Sequence, residues 1–185
     1  MRQTLLIGAL FLLLATSYSC KNTRMYKQLD ELMGATITLP DRILCVYEGE
    51  SYPMPDSLRW KTRFIVFVDS TECSKCRITR FAKYVDMFRL SDETRAFVPI
   101  LLVSTSQHEQ QEIIEHLQQI ELPFPVYLDE NHSFANDNPL VMADSRFSAV
   151  TVDEDGRVLL VGDPAGNEKY MAMFRREIID TRFIQ

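Results

Sequence analysis

The strongest constraint on the fold is a change of hydrophobic period near the middle of the chain. Residues 64–68 read Phe-Ile-Val-Phe-Val, and after Asp69-Ser70-Thr71-Glu72 comes Cys73-Ser74-Lys75-Cys76. Beyond the cysteines, Ile78, Phe81, Ala82, Val85 and Phe88 recur three and four apart, while Arg77, Arg80, Lys83 and Asp86 take the other side. An unbroken apolar run of this length fits a strand buried on both faces, and the second pattern fits an amphipathic helix. The two cysteines therefore stand at a strand-to-helix junction.

That position has chemical consequences. A helix N-terminus carries unpaired N–H groups and about half a positive charge, which favours a thiolate over a thiol. Cys73, at the cap or in the first turn, is the candidate nucleophile. Cys76 lies three residues on, on the same helix face, where a disulfide bond of about 2.05 Å is within reach, so it is the candidate resolving thiol. Glu72 opposes ionisation of Cys73, whereas Lys75 and the helix terminus favour it. A redox pair, an inert disulfide and half of a metal site all remain compatible with this spacing.

The amino terminus bears on which of these applies. Arg2, the apolar run 5–15 and the small residues before Cys20 have the form of a secretory signal, and the run is shorter than the roughly 20 residues of a membrane span. The end of this segment resembles the bacterial lipobox, which implies a signal peptide over 1–19, lipidation of Cys20 and a tether over 20–34. Residues 21–24, Lys-Asn-Thr-Arg, lack an acidic cluster, which favours an anchor facing the periplasm. Exported cysteines meet an oxidising compartment, so a working pair needs a redox partner. With 20 Lys and Arg against 26 Asp and Glu, the net charge of −6 gives no sign of nucleic-acid binding.

The remainder is long enough for one domain over 35–185. Residues 26–33 are expected to form a short helix ended by Gly34. Residues 35–39 and 42–46 read as extended, turning at Pro40-Asp41, and 48–59, with Pro53 and Pro55, read as a loop. Cys45 is expected as a small buried hydrophobe and Trp60 as a core anchor. Strand 97–103, helix 109–120 and strand 126–128 follow, and the alternation argues for a largely parallel sheet with right-handed crossovers. Residues 130–146 are polar and irregular. Strands 147–152 and 157–161 form a hairpin around Asp153-Glu154-Asp155-Gly156, a turn without the further ligands of a calcium loop, and helix 168–181 closes the chain with Met171, Phe174 and Ile178 inward. The three histidines, His108, His116 and His132, read as solvated or capping groups, with His132 the best placed for a metal.

The Cys-x-x-Cys junction, Phe124-Pro125-Val126-Tyr127-Leu128-Asp129, the hairpin and Gly162-Asp163-Pro164 together resemble the thioredoxin-like superfamily, in its membrane-anchored extracytoplasmic oxidoreductase branch. The overall look is similar to thioredoxin-like lipoproteins of Bacteroidetes-type bacteria. The resemblance implies an α/β three-layer sandwich, with parallel central strands, a carboxy-terminal antiparallel hairpin and helices on both faces. It implies disulfide exchange with protein thiols or disulfides through Cys73 and Cys76, without a diffusible cofactor, and a substrate groove formed by Glu72, Ser74, Lys75 and Phe147. Two departures stand out. The residue before the first cysteine is Glu72 where the family has an aromatic, and Arg146-Phe147-Ser148-Ala149 lacks the family's cis-proline, so no cis peptide is expected there. These departures suit an inert binding module with a structural disulfide. A metal carrier is a more distant alternative.

Overall fold

The computed structural model describes residues 23–69 and 78–181. Its described residues form one seven-stranded mixed sheet in the order β2-β1-β5-β4-β3-β6-β7. The strands are β1 (Leu44–Tyr47), β2 (Glu50–Pro53), β3 (Arg63–Val68), β4 (Val98–Ser104), β5 (Val126–Asp129), β6 (Ala149–Val152) and β7 (Val158–Val161). β3, β4 and β5 run parallel, while β1 against β5 and β6 against β3 are antiparallel. The helices are α1 over 23–33, α2 (Val85–Thr94), α3 (Gln110–Ile120), α4 (Ser133–Asp137), α5 (Pro139–Met142) and α6 (Glu168–Phe174).

The central apolar run is β3, and all six of its residues are buried. Its side chains alternate between two cores, as a strand covered on both faces requires. Phe64, Val66 and Val68 join one core with Phe81, Leu117 and Phe174, under α2, α3 and α6. Ile65 and Phe67 join the other with Leu32, Phe134 and Val141, under α1, α4 and α5. Phe64 meets the Phe174 ring edge-on at 5.9 Å, and Phe67 lies 4.8 Å from Phe134.

The chain differs from the sequence expectations at several points, each with a local cause. The helix after the cysteines starts as a 3₁₀ segment, Thr79–Tyr84, before continuing as α2. Ile78, Phe81, Tyr84 and Met87 are buried at intervals of three while Ala82 faces out, because a 3₁₀ turn brings every third residue to one face. Residues 35–39 form only an isolated bridge, Thr36 with Arg157, and the amino-terminal hairpin is instead β1 with β2. Its turn is Glu48-Gly49, with φ of 51° and 80°, the left-handed pair that a tight hairpin needs and that the two nearby prolines obscured. Trp60 is 73% exposed at the end of a 3₁₀ turn, so it is not a core anchor. The polar stretch after β5 contains α4 and α5, whose buried Phe134, Val141 and Asn138 close the second face. Asn138 acts as a strand substitute, accepting from the Thr38 N–H at 2.8 Å and donating to the Thr38 carbonyl at 2.9 Å. Part of the expected tether is ordered as α1, whose Leu32 is fully buried.

Candidate functional site at the carboxyl end of β3

The connections β3-α2-β4 and β4-α3-β5 step across the sheet in one direction, and the return through α4 and α5 brings β6 to the opposite side of β3. β3 is thus the strand at which the direction of the crossovers reverses. In α/β sheets the crevice outside the carboxyl end of such a strand is the place where sites are built. The chain reaches it at Asp69 and is next described at the fully buried Ile78. Glu72, Cys73, Ser74, Lys75 and Cys76 fall between these two and lie outside the described residues, as does Cys20.

A pocket of about 340 Å³ opens beside this point. Val66, Val68 and Phe81 form its floor, and Arg80, Lys83 and Arg146 stand on its rim. The 3₁₀ segment after β3 supplies the first wall, and loop 144–148, entering β6, supplies the second. This loop is tied to β3, since the Phe67 N–H donates to the Ser148 carbonyl at 2.7 Å. The third wall follows β7, where Gly162 has φ +124° and a Cβ added to it would lie 2.7 Å from the Tyr170 ring. Only glycine fits that bend, which delivers Asp163 to the rim.

Asp163 organises its corner. One carboxylate oxygen accepts from Lys83 Nζ at 2.5 Å and from the Tyr84 hydroxyl at 2.8 Å, and the other accepts from the Ala165 N–H at 2.9 Å. On the opposite wall, Asp144 accepts from Arg146 Nε at 2.8 Å and Nη2 at 2.5 Å, a fork-shaped pair. Hydrogen bonds from the Arg146 side chain and N–H hold the Asp144 carboxyl down at about 2. Arg80 makes no ion pair among the described residues.

Loop 144–148 bonds three of its own N–H groups. The Arg146 N–H donates to the Asp144 carboxylate at 3.0 Å, the Phe147 N–H to the Asp144 carbonyl at 2.9 Å, and the Ser148 N–H to the Ser145 carbonyl at 3.4 Å. The described residues contain no cis peptide bond. Phe147 itself is 3% exposed, with its ring in the second core, and the pocket lining on this wall comes from its neighbours Ser145, Arg146 and Ser148.

The remaining candidates lie elsewhere. Cys45 is a free, buried thiol on β1, facing Tyr52 on β2 and Tyr127 on β5 in register. Burial pushes its pKa up, and its hydrogen bond pushes Tyr52 up to about 12. β5 and β4 separate β1 from β3, a distance of about 14 Å at ordinary strand spacing. His132 stands near the carboxyl ends of β4 and β5, where its Nδ1 shares a hydrogen bond with the buried Ser104 hydroxyl. His116 lies 3.4 Å from the Thr79 hydroxyl, and His108 is exposed. Sequence reasoning missed Arg146 and placed Arg80 and Lys83 on a solvent face. The only local signal for the third wall was Gly162-Asp163-Pro164.

No family model and no curated protein matches this sequence. Among solved structures, a candidate protein disulfide isomerase from Bacteroides thetaiotaomicron superposes with a TM-score of 0.53 at 17% identity, covering 79% of this chain and 89% of the other. A candidate thiol-disulfide oxidoreductase from Bacteroides vulgatus gives 0.51 at 11% identity, over 78% of this chain and 95% of its own. The mixed sheet, the helices on both faces and the two similar structures agree, and the chain has the thioredoxin-like fold.

Proposed function

We propose that this protein is a thiol-disulfide oxidoreductase acting through Cys73 and Cys76. The observation that carries the reading is the match between motif and topology. In sequence the Cys-x-x-Cys pair follows the switch-point strand directly, and a pocket whose rim carries Arg80, Lys83 and Arg146 opens beside that strand. The names of the similar structures, which include a protein disulfide isomerase and thiol-disulfide oxidoreductases, support the same chemistry.

In the reductive direction the Cys73 thiolate attacks one sulfur of a substrate disulfide. The substrate S–S bond breaks, the departing sulfur leaves as a thiolate that takes up a proton, and a mixed disulfide remains. Cys76, as thiolate, then attacks the Cys73 sulfur and releases the second substrate thiol. Two electrons have passed to the substrate and Cys73–Cys76 is a disulfide. The oxidative direction is the reverse. A membrane dithiol donor or a quinone-linked acceptor restores the pair, depending on direction. Glu72, Ser74 and Lys75 flank the reacting sulfurs and the backbone at Phe147 forms part of the groove. Signal peptide 1–19 and lipidation at Cys20, joined to the domain through the short stretch before α1, place the domain in the cell envelope, facing the periplasm.

Thiol trapping after equilibration in glutathione buffers measures the potential of the pair, and Cys76→Ser accumulates mixed disulfides with substrate proteins. A potential below about −300 mV, together with no insulin reduction, no thiol oxidation and no trapped partner, would overturn the exchange role. The second reading, an inert binding module with a structural disulfide, is favoured by the N–H groups of Arg146, Phe147 and Ser148 being bonded within loop 144–148.

A further inference from the structure

We propose that the pocket beside β3 receives an acidic polypeptide segment, whose carboxylates meet Arg80, Lys83 and Arg146. The inference rests on the oxidoreductase reading only in taking a protein as the partner.

Two observations lead to it. First, three of the backbone N–H groups of loop 144–148, those of Arg146, Phe147 and Ser148, are bonded within the loop. A peptide laid along this wall finds no donor at those three positions, so recognition there passes to side chains. Second, the side chains on the rim are predominantly cationic. Arg80, Lys83 and Arg146 line the pocket against a single lining carboxylate, Asp163, in a chain whose net charge is −6. Even with Asp144 behind Arg146, the described walls retain one excess positive charge, and among the described residues Arg80 is the rim cation with no ion pair. Lys83 and Arg146 are held in place by Asp163 and Asp144, so their positions are set before a partner arrives. The apolar floor of Val66, Val68 and Phe81 accepts one side chain of the segment between these charges.

Opposite charge around a groove gives selectivity more than raw affinity, through attraction of acidic partners and repulsion of basic ones. The test uses the whole chain and three cysteine-free peptides of about a dozen residues, acidic, neutral and basic, titrated by fluorescence anisotropy and by amide chemical shifts. The expected result is about tenfold tighter binding of the acidic peptide than of the basic one at low ionic strength, reduced severalfold in about 0.3 M salt, with shifts at residues 80–84 and 144–149. Arg80→Glu is expected to cut the preference at least threefold without lowering the unfolding midpoint. Equal binding of acidic and basic peptides, or shifts centred on another surface, overturns the proposal. Disulfide exchange without charge preference also removes this inference and leaves the oxidoreductase reading standing. Acidic-peptide binding in a protein that exchanges no disulfides does the opposite.

Discussion

The middle of β1, which holds Cys45, and the carboxyl end of β3, which Cys73 and Cys76 follow in sequence, have surroundings that differ in kind. Cys45 on β1 is flanked in the sheet plane by two tyrosines, is 2% exposed and has its pKa raised by burial. The carboxyl end of β3 borders a pocket lined by Arg80, Lys83 and Arg146. A mid-strand cysteine has both backbone groups committed to neighbouring strands and its side chain committed to a core. A cysteine at a strand-to-helix junction has neither commitment, and lies where unpaired N–H groups favour an anion. Topology therefore marks Cys45 as a packing thiol before any pKa is considered.

Three results would break or sharpen this contrast. The largest concerns stability. Phe67 and Cys45 both face the second core, but only Phe67 belongs to the switch-point strand and stacks on Phe134. Phe67→Ala is expected to cost about 3–5 kcal/mol in denaturant unfolding, against about 1 kcal/mol for Cys45→Ala. Equal costs would mean that β1 is as central to the fold as β3.

Next in size is reactivity. Alkylation of Cys45 in the native protein, followed peptide by peptide with mass spectrometry, should run at least about a hundredfold slower at pH 7.5 than in urea. Because the folded thiol holds its proton more tightly than the unfolded one, its contribution to stability is intact below the unfolded thiol pKa and is lost as pH rises through the folded value. Labelling should therefore accelerate only in alkali. Rapid labelling of Cys45 at neutral pH would erase the distinction between the two regions.

The smallest effect concerns the wall of the pocket. Asp144 closes loop 144–148 and its pKa is depressed, so its contribution is present above the ordinary carboxyl value and is lost as pH falls toward about 2. Asp144→Asn should cost only about 0.5–1 kcal/mol, as expected for a partly exposed pair and cap, while speeding amide exchange at Arg146. An unchanged exchange rate would show that the loop is held by Phe147 in the core and not by Asp144.

The sequence by itself determined the elements whose signal is local and periodic. The apolar run 64–68 of β3, the spacing of Ile113 and Leu117 in α3, the hairpin around Gly156 and the burial of Cys45 follow from residues within one or two turns of each other. The same locality placed Cys73 and Cys76 between a strand and a helix. Only the tertiary structure decided the pocket. Lys83 meets Asp163 across 80 positions, and Arg146 faces the 3₁₀ segment only because β6 returns beside β3. Neither approach leaves a mark on nearby residues. Trp60 shows the converse limit: its apolar bulk suggested a core, but its place on a short turn before β3 leaves it facing solvent. Hydrophobic period reports which face of an element is covered, whereas a site depends on which elements the sheet order brings together at one end.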